Sequence, residues 1–292
     1  MINIYEQVSR NKFQSGLILL FFSLFILAIN YLIVLLFELP PQYLLAGLLI
    51  TTFSSLGSFF YGDQIILSLN KAKPASRKEY FNYYTVTENL SLGAQIPTPK
   101  IYVIQDPSPN AFASGRDPDH AIICVTTGLL SQLNRSQLEA VIAHEISHIK
   151  NYDIRLMMIV SVLVGTLSSL IYSLRFFRSS DNNERRQSGI FAIFGLLLII
   201  LSPLIAKIIQ LAISRRREYL ADASAVKLTK QVQPLIEALT IISSSQIKNT
   251  TASHSSASLY INNPFKNIKA ETLFSTHPPI EKRIEELSKM SF

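Results

Sequence analysis

The sequence predicts a mainly helical α+β fold integrated in a membrane, with about four transmembrane helices and a small β-sheet. Three observations predict it. The 292-residue chain is 48% hydrophobic with only 16% charged residues, greasier than an ordinary soluble domain. Its apolar residues gather into four runs long enough to span a bilayer. Around those runs, short β-branched stretches and helical periodicity mark a folded domain. The net charge of +7 points away from nucleic acid, because the basic residues flank the apolar runs as they do at membrane surfaces. The single cysteine, Cys124 within "AIICV", excludes an internal disulfide and reads as a small buried side chain.

The first run, Phe13 to Phe37, follows Arg10 and Lys12. It is longer than the core of a cleaved signal, and "ELPPQY" after it offers no small-residue cleavage site, so it reads as an uncleaved transmembrane helix. Gln42 to Gly62 is the second run. The linker between them lacks Lys and Arg, whereas Arg10, Lys12, Lys71, Lys73, Arg77 and Lys78 flank the pair. Both ends of this N-terminal transmembrane hairpin, residues 1–62, therefore fall on the cytoplasmic side.

Residues 63–154 read as the first half of a folded domain. "KIYVI" and "AIICVTT" are short and β-branched, hence strands, and "QDPSPNAFASGRDPD" between them is rich in turn formers. In "SQLNRSQLEAVIAHEISHIKNY", Leu138, Val141, Ile142, Ile146 and Ile149 recur at helical steps. Ser136 is the expected N-cap of that helix, with Glu139 as its capping-box partner. Residues 155–213 form a second hairpin from the runs Leu156 to Leu174 and Ile190 to Ile213. Its linker carries Arg175, Arg178, Arg185 and Arg186 against the positive-inside rule, so the hairpin either crosses the bilayer or lies partly in its interface. Residues 214–292 form the domain's second half. There "SRRREYLADASAVKL" continues as a helix, "SSSQIKNTTASHSSAS" is a polar loop, and "THPPIEKRIEELSKM" opens with prolines and ends as an amphipathic helix.

The chemistry concentrates in "AVIAHEISHIKNYD", Ala140 to Asp153. Residues four apart share one helical face, so His144 and His148 project side by side as two imidazole ligands for one metal. Glu145 is rotated by about 100° and reaches an open coordination position without ligating. That pattern suits a hydrolytic zinc with Glu145 as general base. A third ligand is still needed. His120 in "DPDH" and His254 in the polar loop read as surface residues. Glu218 in "RRREYLAD" is the better candidate, with Asp222 one turn later placed to accept a hydrogen bond from the distal nitrogen of a ligand histidine, His144 foremost. The alternative, an exposed helix on which Glu218 pairs with Arg215 or Arg217, remains open on the sequence alone. His148 and Glu218 are 218 − 148 = 70 positions apart, and most of that interval is the second hairpin, whose ends return to one side of the membrane. Arg283 lies on the apolar face set by Ile280, Ile284 and Leu287, and a buried arginine needs an anionic partner. That partner is a carboxylate near the site, the oxyanion of the reaction, or a plain structural ion pair. Asp153 closes the motif helix, either orienting a ligand or simply ending the helix.

"AVIAHEISHIKNYD", "SRRREYLADASAV", "NAFASG" and "LFSTHPPIEKRI", in this order with four hydrophobic segments, resemble the HtpX family of bacterial membrane zinc metalloproteases, zincin-like enzymes of the gluzincin group related to the CAAX prenyl proteases. The resemblance implies one zinc ion per chain held by His144, His148 and Glu218, with Glu145 as base. It implies a multi-pass protein of the bacterial inner membrane whose active site faces the cytoplasm and cleaves polypeptides, notably damaged or misassembled membrane proteins. It makes residues 63–154 and 214–292 the two halves of the catalytic domain. In similar enzymes, "NAFASG" is an edge strand above the metal, where Asn110, Ala111, Phe112 and Ala113 would bind substrate backbone by strand addition; a plain surface loop is the other reading. His277 in relatives faces the zinc, stabilising an oxyanion or approaching the metal. Two other functions compete: a narrow-specificity processor of the prenyl-protein type, and a catalytically silent membrane scaffold, which would show a degenerate ligand or base.

Overall fold

Two long helices lead the chain, α1 (Ile4–Leu36) and α2 (Gln42–Leu69), packed against each other. The computed structural model describes residues 4–36, 40–163, 215–247, 249, 259–262 and 278–290. Within α1 the segment Val8–Ala28 has a mean hydropathy of 1.6 and only 18% of it is buried, so its apolar side chains face outward. Pro40 and Pro41 set the start of α2, which bends by 46° between Phe53 and Leu56. Among the described residues, one helix is long and apolar enough to cross a membrane, or two if bent α2 is one span. The expected count of about four therefore meets at most two here. Of the other two runs, all but the first residues fall outside the described residues, as do His254 and His277.

After the short strand β1 (Lys73–Pro74), α3 (Phe81–Ala94) leads into β2 (Lys100–Ile104), β3 (Ala111–Gly115) and β4 (Ala121–Thr126). The sheet order is β1-β2-β4-β3, with β2 and β4 parallel and both outer pairs antiparallel. The two strands expected from β-branched runs are β2 and β4. β3 arises inside the segment rich in turn formers. It reverses into β4 through Gly115, whose φ of 135° and 2.4 Å approach of a would-be Cβ to the His120 carbonyl oxygen require glycine.

Both faces of this sheet are covered, which is why β4 is a continuous apolar run. Ala121, Ile123 and Val125 face the core shared with α3 and the helices that follow the sheet, with Ala111 and Ala113 beside them. Ile122, Cys124, Phe112 and Ile104 face a second core with Ile66 and Leu67 of α2 and the buried apolar residues Leu156 to Leu163. Cys124 is accordingly a fully buried free thiol.

Past α4 (Thr127–Gln132) comes α5 (Arg135–Lys150), followed by a helical stretch over residues 153–163, α6. α5 packs on α3 and β3, on α7 (Arg215–Thr229) and on α8 (Gln233–Ser244). The final helix is α9 (Ile280–Ser288). Leu138, Val141, Ile142, Ile146 and Ile149 of α5 are buried, as their periodicity requires. Its N-cap, however, is Asn134 rather than Ser136. Asn134 Oδ1 accepts the Gln137 backbone N–H at 3.0 Å, and Gln137 Oε1 accepts the Asn134 backbone N–H at 3.0 Å. Two capping signatures overlap here, Asn-x-x-Gln and Ser-x-x-Glu, and the earlier one starts the helix.

Asn134→Ala should destabilise the folded chain by about 1 kcal/mol, the usual worth of a lost cap. Ser136→Ala should stay within about 0.5 kcal/mol of the parent. Thermal unfolding of the two variants in detergent measures the difference, and an equal loss in both would refute the Asn134 cap.

Candidate metal centre

Helix α5 supplies His144 and His148 from one face, and α7 packs beside it with Glu218 in its first turn. All three are buried, and their ligating atoms lie within 4.8 Å of one another. The two Nε2 atoms face each other at 3.2 Å, and Glu218 places one oxygen 3.6 Å from His144 Nε2 and the other 3.6 Å from His148 Nε2. Ligand atoms around a tetrahedral ion at roughly 2.0–2.1 Å stand about 3.4 Å apart. The observed separations straddle that distance, so the donor set fits a divalent ion without rearrangement of the backbone. Glu218 thus sits with the histidines and not on an exposed face of α7.

Each imidazole has its other nitrogen occupied. His144 Nδ1 is 2.9 Å from Asp222 Oδ1, and His148 Nδ1 is 3.0 Å from Asp153 Oδ2. Nδ1–H donation to these carboxylates fixes the tautomer that turns both Nε2 lone pairs inward. Asp222 lies one turn beyond Glu218, so one face of α7 delivers both ligand and orienter. Asp153 reaches His148 because α5 stops at Lys150 and Tyr152 adopts a left-handed backbone, φ 61°, which turns the chain back.

Cations back the carboxylates. Arg283 is fully buried and bidentate on Asp222, Nη2 to Oδ1 at 2.6 Å and Nε to Oδ2 at 2.8 Å, with Nη1 3.6 Å from Glu218. The anionic partner expected for Arg283 is therefore a carboxylate beside the site. Behind Asp153 stand Asn11 and Arg217, neither of which stood out in the sequence for this place. Asn11 stands between Arg10 and Lys12, ahead of the apolar run, so nothing local marks it. In the sequence, Arg217 stands out only as a partner for Glu218.

Burial and the Arg283 guanidinium push His144 down, but hydrogen bonds to Asp222 and Glu218 and the charge of Asp222 outweigh them and hold it up at about 9. Burial opposes a charged His148 too, and Asp153 and Glu218 raise it nonetheless. Burial would raise Asp222, yet Arg283 and His144 keep it below the usual carboxylate range. Glu145 follows His144 and is buried, and its charge is among those that raise Arg283.

β3 is the outer strand of the sheet, paired with β4 on one side and packed on α5. Its first residue is already engaged, since the Ala111 carbonyl accepts the Ile261 N–H at 3.0 Å. Asn110 precedes the strand and bonds Asn262 through its side chain. His120 is half exposed and paired with Asp117 at 2.7 Å, away from the cluster.

Residues 82–291 match the family described as Peptidase family M48. A "Protease HtpX homolog" of Dictyoglomus turgidum is 42% identical over 287 residues, covering 98% of this chain and 94% of the relative. One from Streptococcus equi subsp. zooepidemicus is 45% identical over 252 residues, covering 84% and 85%. Among solved structures, S. mikatae Ste24p aligns with 97% of this chain and 66% of that chain, at TM-score 0.46 and 22% identity.

A histidine raised to about 9 is protonated at neutral pH, and a metal must displace that proton. In the metal-free chain the His144 contribution to stability is complete below about pH 6.5, the ordinary histidine value, and is lost as pH rises through about 9. Zinc binding should therefore release protons at pH 7. Its affinity should climb about tenfold per pH unit for each proton displaced, levelling near pH 9. Calorimetric titration in buffers of different ionisation enthalpy measures this, and a pH-independent affinity would refute it.

Proposed function

This chain belongs to peptidase family M48, whose members are metallopeptidases, and from that premise we propose that it is a membrane-bound zinc endopeptidase of the HtpX kind. It cleaves damaged or misfolded membrane proteins at the cytoplasmic face of the bacterial inner membrane. Residues 63–154 and 214–292 form its catalytic domain, and hairpins 1–62 and 155–213 anchor it. The observation that carries the reading is the convergence of His144, His148 and Glu218 around one point, with Glu145 next to the first ligand. The outward apolar face of α1 supports the membrane, and the basic residues after α2 support the orientation.

His144, His148 and Glu218 would hold the zinc. A bound zinc ion supplies Lewis acidity, polarising a carbonyl and lowering the pKa of water. The remaining work falls to the chain. Asp222 and Asp153 hold the imidazoles in the tautomer that presents Nε2. Arg283 keeps Asp222 ionised and in place. Glu145 accepts a proton from the attacking water and returns it to the leaving amine as the peptide C–N bond breaks. Strand β3, at Phe112 and Ala113 beyond the Ala111 carbonyl that Ile261 occupies, aligns an extended substrate by backbone pairing beside α5, which accounts for broad specificity. Asn110 stands at the head of that strand, and His277, which lies outside the described residues, would stabilise the oxyanion or approach the metal.

Glu145→Ala should retain one zinc per chain while losing at least about 10²-fold of casein proteolysis, the usual scale for general acid–base catalysis. Metal analysis and a proteolysis assay on the purified variant decide this. Parental activity in Glu145→Ala would overturn the assignment of the base.

A further inference from the structure

The N-terminal apolar helix enters the metal centre. Asn11 of α1 lies within the membrane-length segment Val8–Ala28, yet its side chain is buried against the catalytic core. One amide hydrogen goes to Asp153 Oδ1 at 2.7 Å and the other to the Asn151 carbonyl at 2.9 Å. Its own oxygen accepts from Arg217 Nη1 at 3.5 Å. The amide thus ties α1 to the end of α5 and to the helix that carries Glu218.

The two histidines have parallel support, and the comparison isolates what Asn11 does. His144 leans on Asp222, whose two oxygens are both gripped by Arg283 at 2.6 and 2.8 Å. His148 leans on Asp153 Oδ2, but the nearest guanidinium nitrogen, Arg217 Nε, is 3.8 Å from Asp153 Oδ1, too far for a hydrogen bond. Among the described residues, the Asn11 amide donates the hydrogen bond that Oδ1 receives. Without it, the carboxylate could rotate about its χ2 bond, a soft torsion, and carry the His148 ring with it.

We propose that Asn11 is a positioning residue of the metal centre, holding Asp153 at the angle at which it receives the Nδ1–H of His148. The first membrane-anchoring helix is then part of the ion site. This rests on the reading of His144, His148 and Glu218 as the ligands.

The test uses the full chain in detergent micelles with zinc as the probe, its dissociation constant read by competition with a chromophoric chelator. The visible spectrum of the cobalt(II)-loaded protein gives a second readout of ligand geometry. Outer-shell partners are worth about 10–100-fold in metal affinity. Asn11→Leu and the near-isosteric Asn11→Asp, which removes the donor, should each weaken zinc about tenfold and shift the cobalt bands. Ser15→Ala, one turn along on the same buried face of α1, should match the parent. If Asn11→Leu does not accumulate folded, Asn11→Asp decides. Parental affinity and spectrum in the Asn11 variants would overturn the proposal, as would an equal loss in Ser15→Ala, which would mark a general effect of helix packing. A parent chain that fails to bind zinc, or a His148→Ala variant that binds as the parent does, would instead overturn the ligand assignment beneath it.

Discussion

Everything near the centre of this molecule answers to one electrostatic constraint. Glu145, Asp153, Glu218 and Asp222 are all buried in a single cluster, and Arg217 and Arg283 are the buried guanidiniums beside them. Among the described residues, four carboxyl groups outnumber two guanidiniums, an acidic excess in a region closed to water. Uncompensated buried charge costs several kcal/mol per ion, so the excess must be neutralised. A divalent cation does this in one step. The same carboxylates hold both imidazoles above their ordinary value, His144 up to about 9.

That balance dictates the architecture around it. The ligands must be packed on every side, which is why α5 is enclosed by β3, α3, α7 and α8. Each imidazole also needs a fixed carboxylate and each carboxylate a donor behind it, so the site recruits from elements far apart in sequence: α7 and α9 for His144, the turn at Tyr152 and α1 for His148. Removing an orienting group leaves a buried charge without its partner, which is more damaging than the loss of one hydrogen bond.

The parts legible in the sequence were those with local signatures. The spacing of His144 and His148 is a helical repeat, and β2 and β4 are β-branched runs bounded by turn formers. Glu218 was legible because the apolar interval before it is long enough to read as a hairpin. Where local signals fall short, the deciding physics is nonlocal or ambiguous. "AFASG" has weak strand propensity and becomes a strand because β4 and α5 enclose it. Asn134 and Ser136 offered competing caps within three residues. The Asp153 contact depends on a left-handed tyrosine that no sequence signal announces. Asn11 is 142 positions from Asp153, and only the tertiary fold joins them.

The division into membrane anchor and enzyme does not describe how this chain is held together. The sheet beneath the metal centre has two covered faces, and the second is covered by α2 and α6, with Ile66, Leu67 and the buried residues Leu156 to Leu163 packed on Phe112, Ile122 and Cys124. Exposing that face to water would forfeit its apolar burial and loosen β4, whose alternate side chains pack into the core that encloses α5. Gly62 shows how tight the joint is, since a Cβ there would stand 2.9 Å from the Met158 sulfur. The base of α2 and the start of α6 are therefore one wall of the catalytic core. A metal site built on this sheet inherits its rigidity from the helices that lead into the apolar segments.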